Sequence, residues 1–135
     1  MRTKDLLIRT QRVAFQTLAN GFKNNRISHA YLISGSIESS LKDMAMYLAK
    51  SLVCQSLDPL ACEECINCER IENNIYPDFI MIDGSKESIK KHQVEELQEA
   101  FSKVSLEVNG KKIYIIHLIE KATIGAMNSL LKFLE

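Results

Sequence analysis

The chain has no excess of charge, no long apolar run, no internal repeat and no low-complexity segment. Lysine plus arginine and aspartate plus glutamate number 17 each, so no net field concentrates nucleic acid or an anionic membrane surface, although a local basic patch is compatible with this balance. No stretch approaches the ~20 apolar residues of a membrane span, and no membrane partner is expected. The start, Met1 to Ile8, holds an apolar run of only three residues before Arg9, too short for the central region of a signal peptide. Without an export signal the expected compartment is the cytoplasm, and the four cysteines read as reduced thiols or metal ligands rather than disulfides. No Ser-His-Asp or Cys-His set suggests a hydrolase. At 135 residues the chain suits one domain, 1–135, with a real core.

What is present is an alternation of helix and strand patterns. Between Thr10 and Asn25, the residues Phe15, Leu18, Ala19 and Phe22 form one helical stripe, weakened slightly by Gly21. Tyr31, Leu32 and Ile33 read as a buried strand, Gly35 opens a loop, and Leu41, Met44, Ala45, Leu48 and Leu52 mark the apolar face of a second helix. Phe79 to Ile82, bounded by Pro77 and Gly84, has the uninterrupted apolar pattern of a strand covered on both faces. A helix with Val94, Leu97, Phe101 and Val104 on one side follows, then the turn signal Asn109-Gly110 and a strand over Lys112 to His117. Thr123 is the expected N-cap of a last helix whose apolar face is Met127, Leu130, Leu131 and Leu134. This order predicts an α/β fold with a parallel or mostly parallel sheet flanked by helices. His29 has no carboxylate or second histidine nearby in the sequence, which favours a packed or capping histidine over a ligand or a base.

The strongest chemical signal is the run Cys54, Cys62, Cys65, Cys68. Four thiolates suit tetrahedral zinc, and the two-residue spacings let a tight turn aim successive sulfurs at one point. A complete thiolate shell leaves no open position for water, which points to a structural rather than a catalytic metal. Iron-sulfur ligation uses related spacings and stays open, as does a group of unrelated buried thiols. The insert, residues 54–68, lies between a helix and the next strand, where Zn2+ would fold a loop too polar to fold itself.

The strand, loop and helix around Gly35 have the frame of a phosphate-binding loop without its chemistry. A G-x-x-x-x-G-K-[ST] pattern laid on Gly35 puts Ser40 at the second glycine, Leu41 at the lysine and Lys42 at the hydroxyl residue. Lys42 is one position late, which on a helix turns it by roughly 100 degrees from the phosphate side. Glu38 adds a carboxylate that repels a triphosphate; unit charges at ~4 Å and an effective dielectric of ~20 interact by about 4 kcal/mol. The second motif of such sites is a hydrophobic strand ending in acids that position magnesium and water. Ile113 to Ile116 supplies the strand, but His117 and Leu118 follow, and Glu120 lies beyond its end. Two independent losses agree with each other better than with a rewired site, so no catalytic residue and no bound nucleotide are expected, and the chain is not expected to be an enzyme.

With these features the chain resembles the N-terminal part of the delta-prime family of bacterial DNA polymerase III clamp-loader subunits, which are AAA+ proteins. The resemblance rests on Ser28-His29-Ala30-Tyr31-Leu32, the four cysteines, Pro77-Asp78, Lys112 to Ile116, and Asn128 to Glu135, and covers the chain from about Gln11 onward. The ATP-hydrolysing gamma and tau relatives carry the same four cysteines; the broken loop and strand match the non-hydrolysing member. The resemblance implies a truncated RecA-like core with a zinc knuckle, acting as a stator in a ring with gamma/tau and delta. The resemblance further implies that the chain supports ATP-driven loading of the sliding clamp onto primer-template DNA within the polymerase complex. In the family an arginine in a Ser-Arg-Cys motif serves a neighbouring subunit's site; that motif is expected beyond Glu135 and is not carried over. The family strand between the first and third strands is also expected later in sequence, leaving a rearranged pairing or an open slot, and with it self-association or marginal stability. The other readings are an active AAA+ ATPase with a rewired site and a free-standing zinc module on nucleic acid, the latter opposed by zero net charge and few aromatics near the knuckle.

Overall fold

The computed structural model describes residues 3–36, 40–103 and 111–134. The chain forms two compact units, Met1–Tyr76 and Pro77–Glu135.

The first unit is built from helices. α1 (Thr3–Thr10), α2 (Arg12–Lys23), α3 (Leu41–Val53) and α4 (Ile66–Glu72) surround a core of Leu7, Phe15, Tyr47, Leu60, Ala61 and Cys68. Leu18, Ala19, Phe22 and Met44 pack against it, so the predicted stripe of α2 is the buried one. α1 was not anticipated in the sequence; eight residues are too few for an isolated helix, and Leu7, buried in the core, ties it down. α2 and α4 end alike. Beyond α2, Asn25 adopts φ 56°, its N–H donates to Phe22 O at 3.3 Å, and Arg26 N donates to Gly21 O at 2.7 Å. Beyond α4, Asn74 adopts φ 57°, its N–H donates to Ile71 O at 3.0 Å, and Ile75 N donates to Arg70 O at 2.9 Å. Both are Schellman caps with asparagine in the left-handed position.

Two expectations for this unit are corrected. Tyr31–Ile33 is not a strand: among the described residues it joins no ladder, and Leu32 is 84% exposed. A strand is defined by its partner's hydrogen bonds, and three apolar residues do not supply one. The Tyr31 hydroxyl instead accepts from Ser28 N at 3.0 Å. His29 is exposed rather than packed.

The second unit carries the sheet. β1 (Phe79–Asp83) and β2 (Ile113–His117) pair in parallel, in register from Phe79 opposite Ile113 to Asp83 opposite His117. α5 (Lys91–Ser102) and α6 (Ile124–Leu134) pack against one another. Ile82, Ile89, Val94, Leu97, Ala126 and Leu130 form the core. Beside it, Phe101 meets Tyr114 and Phe133 edge-on, with centroids 5.1 and 5.8 Å apart. Lys112 Nζ donates to the carbonyls of Ala100 and Phe101 at 3.2 and 3.4 Å, a cation on the end of α5. Thr123 caps α6 as expected: its Oγ1 accepts from Ala126 N at 3.2 Å. The buried face of α6 differs from the expected one, because Ala126, Leu130 and Phe133 pack while Met127, Leu131 and Leu134 are exposed. α6 is apolar nearly all round, and its neighbours choose the face. Val104 and the Asn109-Gly110 turn lie outside the described residues. The fold class read from the sequence, α/β with parallel strands and flanking helices, holds. No described helix is long and apolar enough to cross a membrane.

Candidate metal centre and the phosphate-loop region

The four cysteines come from three places. Cys54 is the residue at which α3 ends and the chain turns extended, with ψ 137°. Cys62 and Cys65 flank a tight turn in which Glu63 adopts φ 61°. Cys65 is also the N-cap of α4, and Cys68 lies buried within that helix's first turn. Their sulfurs all lie within 4.8 Å of one another, and Cys54 Sγ and Cys65 Sγ are 3.9 Å apart. A tetrahedron with metal–sulfur bonds of ~2.3 Å has edges of about 3.8 Å, so the set could hold a metal ion with little rearrangement.

Backbone donors already point at these sulfurs. Ser56 N and Cys62 N each donate to Cys54 Sγ at 3.3 Å; Glu64 N and Cys65 N donate to Cys62 Sγ at 3.4 and 3.2 Å. Burial pushes the Cys65 thiol up, but hydrogen bonds from Gln55, Cys68 and Cys62 outweigh it and bring it down to about 6. Cys68 and Cys54 are pushed up, in both cases chiefly by burial. A set that holds one thiolate readily and two others only against burial fits a cationic guest that would draw off the remaining protons.

Beneath the knuckle is a supporting layer that the sequence reading missed. Ser51 Oγ donates to Tyr47 O at 2.9 Å and accepts from Ala61 N at 3.0 Å, fixing the chain ahead of Cys62 to α3. Asn67 Nδ2 donates to Val53 O at 2.9 Å, joining α4 to the turn before Cys54. Lys50 Nζ lies 2.6 Å from Glu72 Oε2 and 3.7 Å from Glu63 Oε1. The Tyr47 hydroxyl, fully buried, finds no acceptor among the described residues. Its proton is held firmly, by burial first and then by the neighbouring charges of Glu63, Cys54, Cys68 and Asp5. The signal that could have revealed this layer is helical spacing: Tyr47, Lys50, Ser51 and Cys54 fall at i, i+3, i+4 and i+7 on one face of α3.

In the phosphate-loop region, Gly35 is exposed, Ser40 precedes α3 with no side-chain capping bond, and Leu41 opens the helix. Leu41 lines a mostly apolar cavity of about 500 Å³ with Phe15, Leu18, Ile33, Met44 and Leu48. Lys42 is exposed. Residues 37–39, and with them Glu38, lie outside the described residues. At the end of β2, the His117 carbonyl accepts from Gly84 N at 2.9 Å, and Leu118 is half-buried in the left-handed region at φ 59°. A Cβ on Gly84 would stand 3.0 Å from Leu118 O, so the backbone is closely packed at the position where an acid would follow the strand. Glu120 is exposed, in the 3-10 turn Ile119–Lys121.

A parallel strand pair, flanking helices and four cysteines close enough together to hold a metal ion define an α/β chain with a metal-type insert. The family model described as DNA polymerase III, delta subunit matches residues 10–135, and the chain belongs to that family. It is 46% identical over 118 residues to DNA polymerase III subunit delta' of Bacillus subtilis, covering 87% of this chain and 36% of that protein. It is 36% identical over 121 residues to subunit tau/gamma of Haemophilus influenzae (87% of this chain, 17% of that protein). It is 32% identical over 128 residues to subunit gamma of Buchnera aphidicola subsp. Schizaphis graminum (93% and 34%). The chain thus spans well under half the length of these relatives, and the resemblance to delta-prime stated from its motifs holds over most of this chain.

Proposed function

We propose that the chain is the N-terminal part of a non-hydrolysing clamp-loader subunit, a stator that supports ATP-driven loading of the sliding clamp without turning over ATP itself. The observation that carries this reading is Leu41. The first residue of α3 is where the lysine of a phosphate loop belongs, and here it is a half-buried leucine facing an apolar cavity. The end of β2 supports it, since His117 and Leu118 hold the positions where magnesium-binding acids would lie. Gly35, Ser40, Leu41 and Lys42 are then a vestigial loop kept for architecture. Cys54, Cys62, Cys65 and Cys68 hold a structural Zn2+, favoured over iron-sulfur because a closed four-sulfur shell with no open position suits a metal that only cross-links. The partners are the gamma/tau and delta subunits and, through the assembled complex, the sliding clamp and primer-template DNA.

Two measurements test the reading. Affinity purification of the full-length protein is expected to bring down clamp-loader subunits. Titration with ATP and magnesium is expected to show no micromolar binding and no turnover. Magnesium-dependent hydrolysis by the purified protein would overturn the stator role in favour of an ATPase with a rewired site.

A further inference from the structure

Lys50 is buried, with only 10% of its side chain exposed, and it lies among three pieces of chain that each supply metal ligands. It sits four residues before Cys54 on α3, and residues so spaced share a helix face. Glu63, 3.7 Å from its ammonium, is adjacent to Cys62 in the turn leading to Cys65. Glu72, 2.6 Å away, lies four residues after Cys68 on α4. The ion network therefore runs parallel to the ligand set, one member beside each segment that delivers a sulfur.

We infer that Lys50 is a positioning residue of the metal centre, holding the turn between Cys62 and Cys65 and the first turns of α4 at the distance from α3 that the four sulfurs need. The inference rests on the reading of the cysteines as a metal site. Two features single out Glu63 as the part that requires Lys50. Its backbone is left-handed, a conformation that costs a residue with a Cβ and that glycine adopts freely. Its carboxylate is also nearly buried, at 12% side-chain exposure, so without a cation beside it the charge would be stranded. Four thiolates around a divalent ion leave a net charge of −2 beside that carboxylate, and Lys50 is the buried cation that offsets the repulsion. Glu72, 60% exposed, does not depend on Lys50 to offset a buried charge and acts as a tether for α4.

The test uses the full-length protein, with Zn2+ affinity measured by chelator competition and Co2+ as a spectroscopic probe of the site. Wild type is expected to take one Co2+ with thiolate-to-metal charge transfer and tetrahedral d–d bands. Lys50→Met is expected to lose about 10- to 100-fold in affinity, the range found for residues that orient metal ligands, and to show shifted d–d bands. Lys50→Arg is expected to restore both. In the double variant Lys50→Met/Glu63→Gly the stranded charge is gone and glycine holds the turn, so most of the affinity is expected to return. Unchanged affinity and spectrum in Lys50→Met, or no recovery in the double variant, would overturn the inference while leaving the metal site standing. Absence of metal from wild type would overturn the site itself. Should Lys50→Met fail to fold, Lys50→Gln, neutral but polar, decides: lost affinity upholds the inference and unchanged affinity overturns it.

Discussion

Cys65 and Cys68 stand three residues apart at the start of α4 and respond in opposite directions to one environment. Cys65, at the N-cap, collects hydrogen bonds that bring it to about 6, whereas Cys68, one turn in, is pushed up by burial. In the metal-free protein the sign of each effect on stability follows from linkage. The folded value of Cys65 lies below its ordinary 9.0, so the unfolded chain binds more protons between about 6 and 9. The resulting stabilisation is complete above 9 and is lost as the pH falls through 6. Cys68, raised, has the reverse sign, and its contribution begins to fade above 9. Denaturant melts of reduced, metal-free protein are therefore expected to show stability rising between pH 6 and 8.5, with the rise much smaller in Cys65→Ser. A rise of equal size in that variant would place its origin elsewhere. The cluster of four cysteines was legible because cysteine spacing is a local pattern. The contrast between the two thiols was not, because it depends on which sulfur the fold buries.

Among the elements, α2, α5 and the two strands were legible in the sequence, whereas α1, α4 and the buried face of α6 were not. α2 and α5 each bury the expected residues, Phe15 and Leu18 in one and Val94 and Leu97 in the other. α1 and α4, with eight and seven residues, show too few turns for a period to register. α6 separates the two kinds of information. Its start was announced by Thr123, whose hydroxyl satisfies the Ala126 amide. Its buried face was not, since seven of its eleven residues (Ile124, Ala126, Met127, Leu130, Leu131, Phe133, Leu134) are apolar and α5 selects among them. Thr123→Ala is expected to cost about 1 kcal/mol, read as a lowered denaturation midpoint with an unchanged slope. Thr123→Ser, which keeps the acceptor, is expected to stay close to wild type. An equal loss in both variants would show that the methyl group, and not the cap, is what matters.

For the whole molecule, the metal proposed at the four cysteines is the largest single lever. Every cysteine belongs to the unit Met1–Tyr76, and Cys68 is a member of that unit's core along with Tyr47, Leu60 and Ala61. Zinc bound by isolated finger peptides contributes on the order of 10 to 16 kcal/mol of apparent binding energy, comparable to the whole stability of a typical domain at about 5 to 15 kcal/mol. Chelation is therefore expected to abolish hydrogen-exchange protection across Cys62–Glu72 and to lower the melting of the first unit. Protection of β1 and β2, which carry no ligand, is expected to persist; protection unchanged throughout would count against a structural metal. The amino-acid sequence by itself determined the spacing of the four cysteines, the apolar runs of β1 and β2 and the leucine at the head of α3, because each is a matter of residue type at short spacing. Only the tertiary structure decided that Lys50 lies between Glu63 and Glu72, that α6 turns Ala126, Leu130 and Phe133 inward, and that Tyr31–Ile33 joins no ladder. Those outcomes depend on which distant groups are brought within contact, and neither helical nor strand periodicity encodes that.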